Sequence, residues 1–294
     1  EGGGAAAGGA DAASLRGRVA EVQVGERQRA AAELLYMRLC RRFQSIGAPL
    51  MPTLKQGGYV RASQVPSSVL TNDVFSPESL QYLRKVLASI ATSSTGSPLD
   101  IDRAQPMQMP VVAAGQLYAA TALFGHFLHR VDKKFRLERA MGSARAQQPF
   151  EEYVGSFDEG QRNDMGRVEH LEAQMAMELQ VRGLFGDLHR LKADLLDAAG
   201  GEPDILAPAE EFPRRIAQAV ESGRVPSVRF LDGDLRRMAL EAVAFGAFLG
   251  DAAGEADALH ELSPSPGLRL SALGLHDGPD DDADGGPTLP WLAR

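Results

Sequence analysis

The chain has 294 residues, of which 44% are hydrophobic and 24% charged, as is ordinary for a globular protein. Its net charge of −8 argues against a general nucleic-acid or anionic-membrane surface, because both of those partners are negative. Runs of β-branched residues are scarce, and no uninterrupted apolar stretch reaches the roughly eighteen residues of a membrane span. We therefore expect a helical protein that is not transmembrane and does not bind nucleic acid.

Both ends of the chain are of low complexity. Residues 1–26 are rich in Gly and Ala, and residues 261–294 are rich in Pro, Gly and Asp. Such compositions bury too little apolar surface to offset the entropy of ordering, so both segments are predicted to be disordered. Residues 27–260 are predicted to form one helical domain between them.

The first predicted helix spans residues 27–46. Gly47 and then Pro49 end it, because glycine favours the helix C-terminus and proline cannot continue a helix. Residues 48–75 contain further Pro and Gly and are predicted to form a long irregular connection.

Two helices with clear signals follow. The first spans 76–94, with Ser76 as N-cap and Pro77 at the first helical position. A Pro- and Gly-containing segment over 94–110 separates it from a helix over 111–140. The spacing of the apolar residues predicts that each helix buries one face.

The C-terminal half reads as further helices with one extended or turn-like segment. The predicted elements are a short helix at 149–157, a helical stretch over 158–199 broken near Gly183 or Gly186, a short helix at 208–221, an extended segment or tight turn at 225–234, and an apolar helix at 232–252. The chain is therefore predicted to be all-α, with six to seven helices in a single layered domain.

Two histidines lie three residues apart in the helix over 111–140. At about 100° per residue, His126 and His129 fall on the polar side of this helix, together with Lys133. A metal held there would have a cation between its imidazole ligands, which is unfavourable. We therefore expect two solvated surface histidines. The sequence indicates no metal site, no catalytic motif and no cofactor-binding motif.

A short motif occurs twice. "LFGHFL" (123–128) and "AFGAFL" (244–249) share F-G-x-F-L inside a predicted helix. A glycine in mid-helix costs about 1 kcal/mol relative to alanine, so it usually has a packing reason. We expect the two helices to cross at these motifs. The candidate packing residues are Phe124, Gly125, Phe127, Leu128, Phe245, Gly246, Phe248 and Leu249.

The chain ends in "LPWLAR", which contains its one tryptophan. Tryptophan is a favoured anchor at protein interfaces. Leu289, Pro290, Trp291 and Leu292 are therefore a candidate docking motif behind an acidic segment. The motif could bind a partner or fold back onto the helical domain.

Three blocks carry a resemblance to a known family. "GQLYAATALFGHFLHRVDKKFRLERAM" (115–141), "EEYVGSFD" (151–158) and "LRRMALEAVAFGAFLGDAAGEAD" (235–257) resemble the plant and algal family called domain of unknown function 760, which includes UV-B-induced chloroplast proteins. The resemblance implies a location in the chloroplast stroma. It implies no activity and brings no site residues.

These observations favour a non-enzymatic soluble plastid protein, acting as an adaptor, a regulator or a stress-linked protein-interaction module. One alternative is a helical binder of an apolar small molecule or cofactor, and another is a structural subunit of a larger plastid complex. A pocket above about 300 Å³ between the two F-G-x-F-L helices would favour the binder. A tightly packed core with exposed apolar surface would favour the interaction module.

Overall fold

The structure is a computed structural model that describes residues 4–54, 59–60, 66, 68–71, 74–93, 107–201 and 211–265. Its helices are α1 (Gly4–Ser45), α2 (Ser68–Thr71), α3 (Pro77–Ser93), α4 (Val111–Ala140), α5 (Phe150–Gly155), α6 (Glu159–Gly166), α7 (Leu171–Phe185), α8 (Leu188–Ala198), α9 (Glu211–Glu221) and α10 (Asp232–His260). The strands are β1 (Tyr59–Val60), β2 (Met107–Pro110) and β3 (Ser227–Phe230), and a short 3-10 helix spans Ala144–Gln147.

The protein is mainly helical, as predicted, but the described residues contain ten α-helices rather than six or seven. The largest difference lies in the stretch over 158–199, which forms α6, α7 and α8. A break near Gly183 or Gly186 was expected, and it occurs at Gly186, which has a φ of 87°, while Gly183 lies within α7. The additional break between α6 and α7 comes from a distant segment. His170 forms a β-bridge with Pro264, and Leu171 donates its N–H to the Ser263 carbonyl at 3.0 Å.

Helices α4 and α10 form the centre of the molecule. Each follows directly on a strand, β2 before α4 and β3 before α10, and these strands pair antiparallel, while β1 pairs with β3 in parallel. Helices α1 and α7 pack against each other and against α10, while α6 and α8 pack against α4. The two F-G-x-F-L motifs thus lie in the innermost pair of helices.

Helix α1 begins at Gly4, within the segment for which the composition predicts a disordered arm. Beyond the glycines this segment contains many Ala residues together with Arg and Glu, which are strong helix formers, and it runs without a break into the helix that packs on the core. Its C-terminal half buries Leu35, Leu39 and Phe43, whereas residues 15–24 are exposed.

Helix α4 is long and apolar enough to cross a membrane by length and composition. However, 78% of its most apolar window is buried inside the protein. The core helix of a soluble protein has the same character, so packing against neighbouring helices accounts for the hydropathy of α4.

Candidate functional site

The backbones of α4 and α10 touch at the two motif glycines. A Cβ placed on Gly125 would lie 2.1 Å from the Val243 carbonyl oxygen, and a Cβ on Gly246 would lie 1.8 Å from the Ala122 carbonyl oxygen. Each glycine therefore faces the backbone three residues before the other glycine. Only the absence of a side chain at both positions permits this approach.

The remaining motif residues form the buried surface around this contact. The side chains of Phe124, Phe127, Leu128, Phe245, Phe248 and Leu249 are all buried. Phe43 of α1 packs its ring on those of Phe245 and Phe248, at centroid distances of 6.4 and 5.2 Å. This region is tightly packed core, and the helices leave no space between them at the glycines.

The expectation that His126 and His129 are solvated was wrong, because both are buried. The His126 ring fits against Gly250, where a Cβ would lie 3.0 Å from Nδ1, and its Nε2 is 3.3 Å from the Arg167 carbonyl oxygen. Burial, followed by the charge of Arg130, lowers the pKa of His126 to about 4. His126 is therefore neutral at pH 7.

His129 lies next to an acidic residue of α10. Its Nε2 is 2.8 Å from Oδ1 of Asp251, and Lys133 bonds to the same oxygen. Burial raises the pKa of Asp251, but the hydrogen bonds from His129 and Lys133 together lower it to about 2. Lys133, the cation whose position argued against a metal site, is thus paired with the carboxylate of Asp251. No group of three potential metal ligands occurs among the residues that the structure describes.

A buried carboxylate on α4 holds the start of α3. Asp132 is fully buried and accepts hydrogen bonds from the Ser76 backbone N–H at 3.1 Å and the Ser76 hydroxyl at 2.5 Å. The Ser76 Oγ also accepts the N–H of Ser79 at 3.2 Å, so Ser76 acts as the predicted N-cap. Arg136, one turn further along α4, lies 3.3 Å from the carboxylate and balances its charge.

A chain of polar side chains crosses the core from α1 to α10. The Tyr36 hydroxyl donates to Oε1 of Gln180 at 2.9 Å, and Nε2 of Gln180 donates to the Tyr118 hydroxyl at 2.9 Å. The Tyr118 hydroxyl then donates to Oε1 of Glu241 at 3.5 Å. The Met51 N–H donates to the other carboxylate oxygen at 3.0 Å. In each of these contacts a donor of one residue meets an acceptor of the next, so the hydrogen bonds form one continuous network.

The carboxyl group of Glu241 is the unusual member of this chain. It is 1% exposed, and burial raises its pKa to about 7, although the Met51 N–H, Arg237 and Tyr118 each favour the ionised form. Glu241 is not among the residues predicted from the sequence. A signal was present, because Glu241 is the one charged residue in "MALEAVAFGAFLG", and such a residue in a buried helix needs a partner.

Two of the surface clefts formed by the described residues lie away from these buried groups. One of about 500 Å³ is lined by Asp194, Asp197, Ala198, Arg224 and Pro226. The other, of about 230 Å³, is lined by Glu178, Val181, Arg182, Gly186, Asp187, Leu188 and His189. Neither cleft is lined by α4 or α10. Glu241, His126 and His129 instead contact groups of neighbouring elements inside the protein.

An exposed apolar stripe lies on the N-terminal half of α1. Leu15, Val19 and Val22 are 65%, 50% and 60% exposed. Their spacing of four and then three residues places them on one helix face. Arg16 lies three residues before Val19, and Arg18 three after Leu15, so exposed arginines flank the stripe on both sides. We call Leu15, Val19 and Val22 the α1 stripe.

The candidate docking motif Leu289–Leu292 lies outside the described residues, as does the acidic segment before it. The described chain ends at Ser265, and its last residues are held against α1 and the start of α7. Gln28 of α1 donates to the Ser263 hydroxyl at 3.0 Å, and the Ser265 N–H donates to the Glu169 carbonyl at 2.7 Å.

Comparison with known proteins finds a similar chloroplast protein. The chain is 25% identical, over 83% of its length, to a chloroplastic UV-B-induced protein of Arabidopsis thaliana, and it spans 63% of that protein's length. No protein-family model matches the chain, and no solved structure does. The numbered family label therefore stays a prediction. Over most of its length, the chain is similar in sequence to a UV-B-induced chloroplast protein.

Proposed function

We propose that this protein is a stress-linked protein of the chloroplast stroma that acts by binding other proteins, as an adaptor or regulator without catalytic activity of its own. Its similarity to a UV-B-induced chloroplast protein supports the location and the link to stress. The observation that carries the binding role is the α1 stripe, an apolar surface on a helix that extends from a tightly packed body.

The two halves of α1 support this role. Leu35, Leu39 and Phe43 of the C-terminal half are buried, so this half anchors the helix to the core. The stripe lies on a different face of the N-terminal half, roughly 130° around the helix from the anchoring face at 100° per residue. Residues 15–24 are all exposed, so the described part of the body does not cover the stripe.

The flanking charges define the chemistry of the partner. A surface with apolar residues in the middle and arginines on both sides suits an apolar segment with carboxylates beside it. The apolar contact supplies binding energy, and the charges select the partner and its orientation.

The geometry of the core counts against the alternative of a ligand pocket. A pocket between the F-G-x-F-L helices would have favoured this alternative, but the backbones of α4 and α10 touch at Gly125 and Gly246. Across this pair of helices Tyr118 bonds to Glu241 and His129 to Asp251, and none of these four residues lines either of the two clefts described above.

The test is site-specific photo-crosslinking with the full-length chain. A photoreactive phenylalanine analogue replaces Val22, and the protein is irradiated in chloroplast extracts of UV-B-exposed and unexposed plants. The matched control carries the analogue at Val24, which is 48% exposed but lies on the opposite face of α1. Defined adducts with other proteins from position 22 and none from position 24 are expected. Equal adducts from both positions, or none, would overturn the proposal.

A further inference from the structure

We infer that the α1 stripe is occupied by the chain's own C-terminal segment, residues 280–292, so that partner binding requires its displacement. This inference rests on the proposed function, because it takes the stripe to be the docking surface. Three features favour this occupant: the described chain ends near α1, the remaining residues are long enough to reach the stripe, and the two segments match in charge and hydrophobicity.

The described chain ends beside α1. The Ser263 hydroxyl accepts a hydrogen bond from Gln28, and the stripe begins at Val22, six residues before Gln28 in the same helix. At 1.5 Å per residue, the stripe lies between about 9 and 20 Å from this point along the helix. Residues 266–288 span up to about 75 Å when extended, so Leu289 and Trp291 can reach any part of the stripe.

The two segments have matching chemistry. The C-terminal segment contains four aspartates, Asp280, Asp281, Asp282 and Asp284, shortly before the apolar cluster that includes Leu289, Trp291 and Leu292. The stripe combines three apolar residues with the flanking Arg16 and Arg18. Apolar residues therefore meet apolar residues, and carboxylates lie within reach of guanidinium groups.

The covalent link favours this occupant over a free partner. A tethered segment is present at an effective concentration of roughly millimolar, so a weak contact can still be largely formed. The same weakness lets a partner with better complementarity replace the segment. The C-terminal segment then competes with partners for the stripe and sets how tightly a partner must bind to displace it.

The single tryptophan makes a direct test available. Because Trp291 is the only tryptophan, the intrinsic fluorescence of the full-length protein reports on the C-terminal segment alone. We expect the emission of the native protein to be blue-shifted relative to the urea-unfolded chain. The variant Val19→Asp/Val22→Asp should move it to the unfolded position, and Val24→Asp should leave it unchanged. Replacing Asp280, Asp281 and Asp282 by Asn should reduce the shift and its dependence on salt.

Three outcomes would overturn the inference. The native emission could match that of the unfolded chain, the shift could survive Val19→Asp/Val22→Asp, or it could disappear on dilution, which would identify a second copy of the chain as the occupant. The fluorescence test uses purified protein, whereas the proposed function is tested in chloroplast extract. Cross-links to other proteins from position 22 without a tryptophan shift would reject only the inference. A shift without such cross-links would reject the proposed function and with it the displacement by a partner, and would leave the C-terminal segment as the occupant of the stripe.

Discussion

Gly246 of α10 presents its α-carbon to the carbonyl oxygen of Ala122 in α4, and at this point the two helix backbones touch. Contacts further along advance in the same direction on both helices, from Tyr118 with Glu241 to His129 with Asp251. The two helices therefore run parallel and share one line of contact. The stability of the core should depend strongly on the glycine at its closest point.

Replacement of Gly246 by alanine should separate the two central helices. The new methyl group would lie 1.8 Å from the Ala122 oxygen, and overpacking of this kind costs about 3 kcal/mol. Urea unfolding followed by circular dichroism measures the loss. Gly254 lies on the same helix with no heavy atom near its Cβ position, so Gly254→Ala should instead stabilise by about 0.5–1 kcal/mol. Equal stability of the two variants would contradict the close contact.

Removal of the Glu241 charge should change the pH dependence of stability. Its pKa rises from 4.5 in the unfolded chain to about 7 in the folded protein. Its stabilising contribution is therefore fully present below pH 4.5 and is lost as the pH rises through 7. Glu241→Gln keeps an acceptor for the Met51 N–H without the charge. We expect this variant to be more stable than the wild type by about 2 kcal/mol at pH 8. No difference in urea unfolding between the two proteins at pH 8 would show that the carboxyl group is not desolvated.

The titration of His126 should change the pH dependence of stability in the direction opposite to that of Glu241. Its pKa falls from 6.5 to about 4 on folding, so its contribution is fully present above pH 6.5 and is lost as the pH falls toward 4. Between pH 6.5 and 4.5, the effects of His126 and Glu241 partly cancel in the wild type. In Glu241→Gln we therefore expect the free energy of unfolding to drop by up to about 3 kcal/mol over this range. Adding His126→Asn should remove most of that drop, and a drop that persists in the double variant must come from other groups.

The contact between Asp132 and Ser76 should show strong coupling in a double-mutant cycle. Asp132→Asn weakens a buried, charge-assisted pair of hydrogen bonds and should cost about 2 kcal/mol, while Ser76→Ala should cost about 1–2 kcal/mol. Because both changes break the same contact, their sum should exceed the effect of the double variant by at least about 0.5 kcal/mol. Arg136→Met, at the partly exposed end of the cluster, should cost less than about 1 kcal/mol. Additive effects would rule out a shared contact.

Local signals predicted several helices closely. The bounds of α4 agree with the prediction of 111–140, because Pro110 precedes the helix and Gly142, with a φ of 75°, follows it. Ser76 and Pro77 likewise marked the start of α3. In these places the residues that begin or end the helix are next to it in the sequence.

Features that depend on distant segments could not be predicted in this way. The polar side of α4 was expected to face water, but Asp251 of α10 and the carbonyl of Arg167 cover His129 and His126. The break before α7 depends on Pro264, almost a hundred residues later in the chain. Glu241 looks like an interruption of an apolar helix until Tyr118 and Met51 are seen beside it. Periodicity shows which residues share a face, but it does not show what packs against that face.

Helix α1 is 42 residues long, or about 60 Å, and only its C-terminal half is fixed to the core. Substitutions in its two halves should therefore have separable effects. Under the proposed function, a change at Val19 or Val22 should alter what the protein binds and leave its folding intact, whereas a change at Leu39 or Phe43 should do the reverse. One continuous helix would then carry two regions that tolerate substitution to very different degrees.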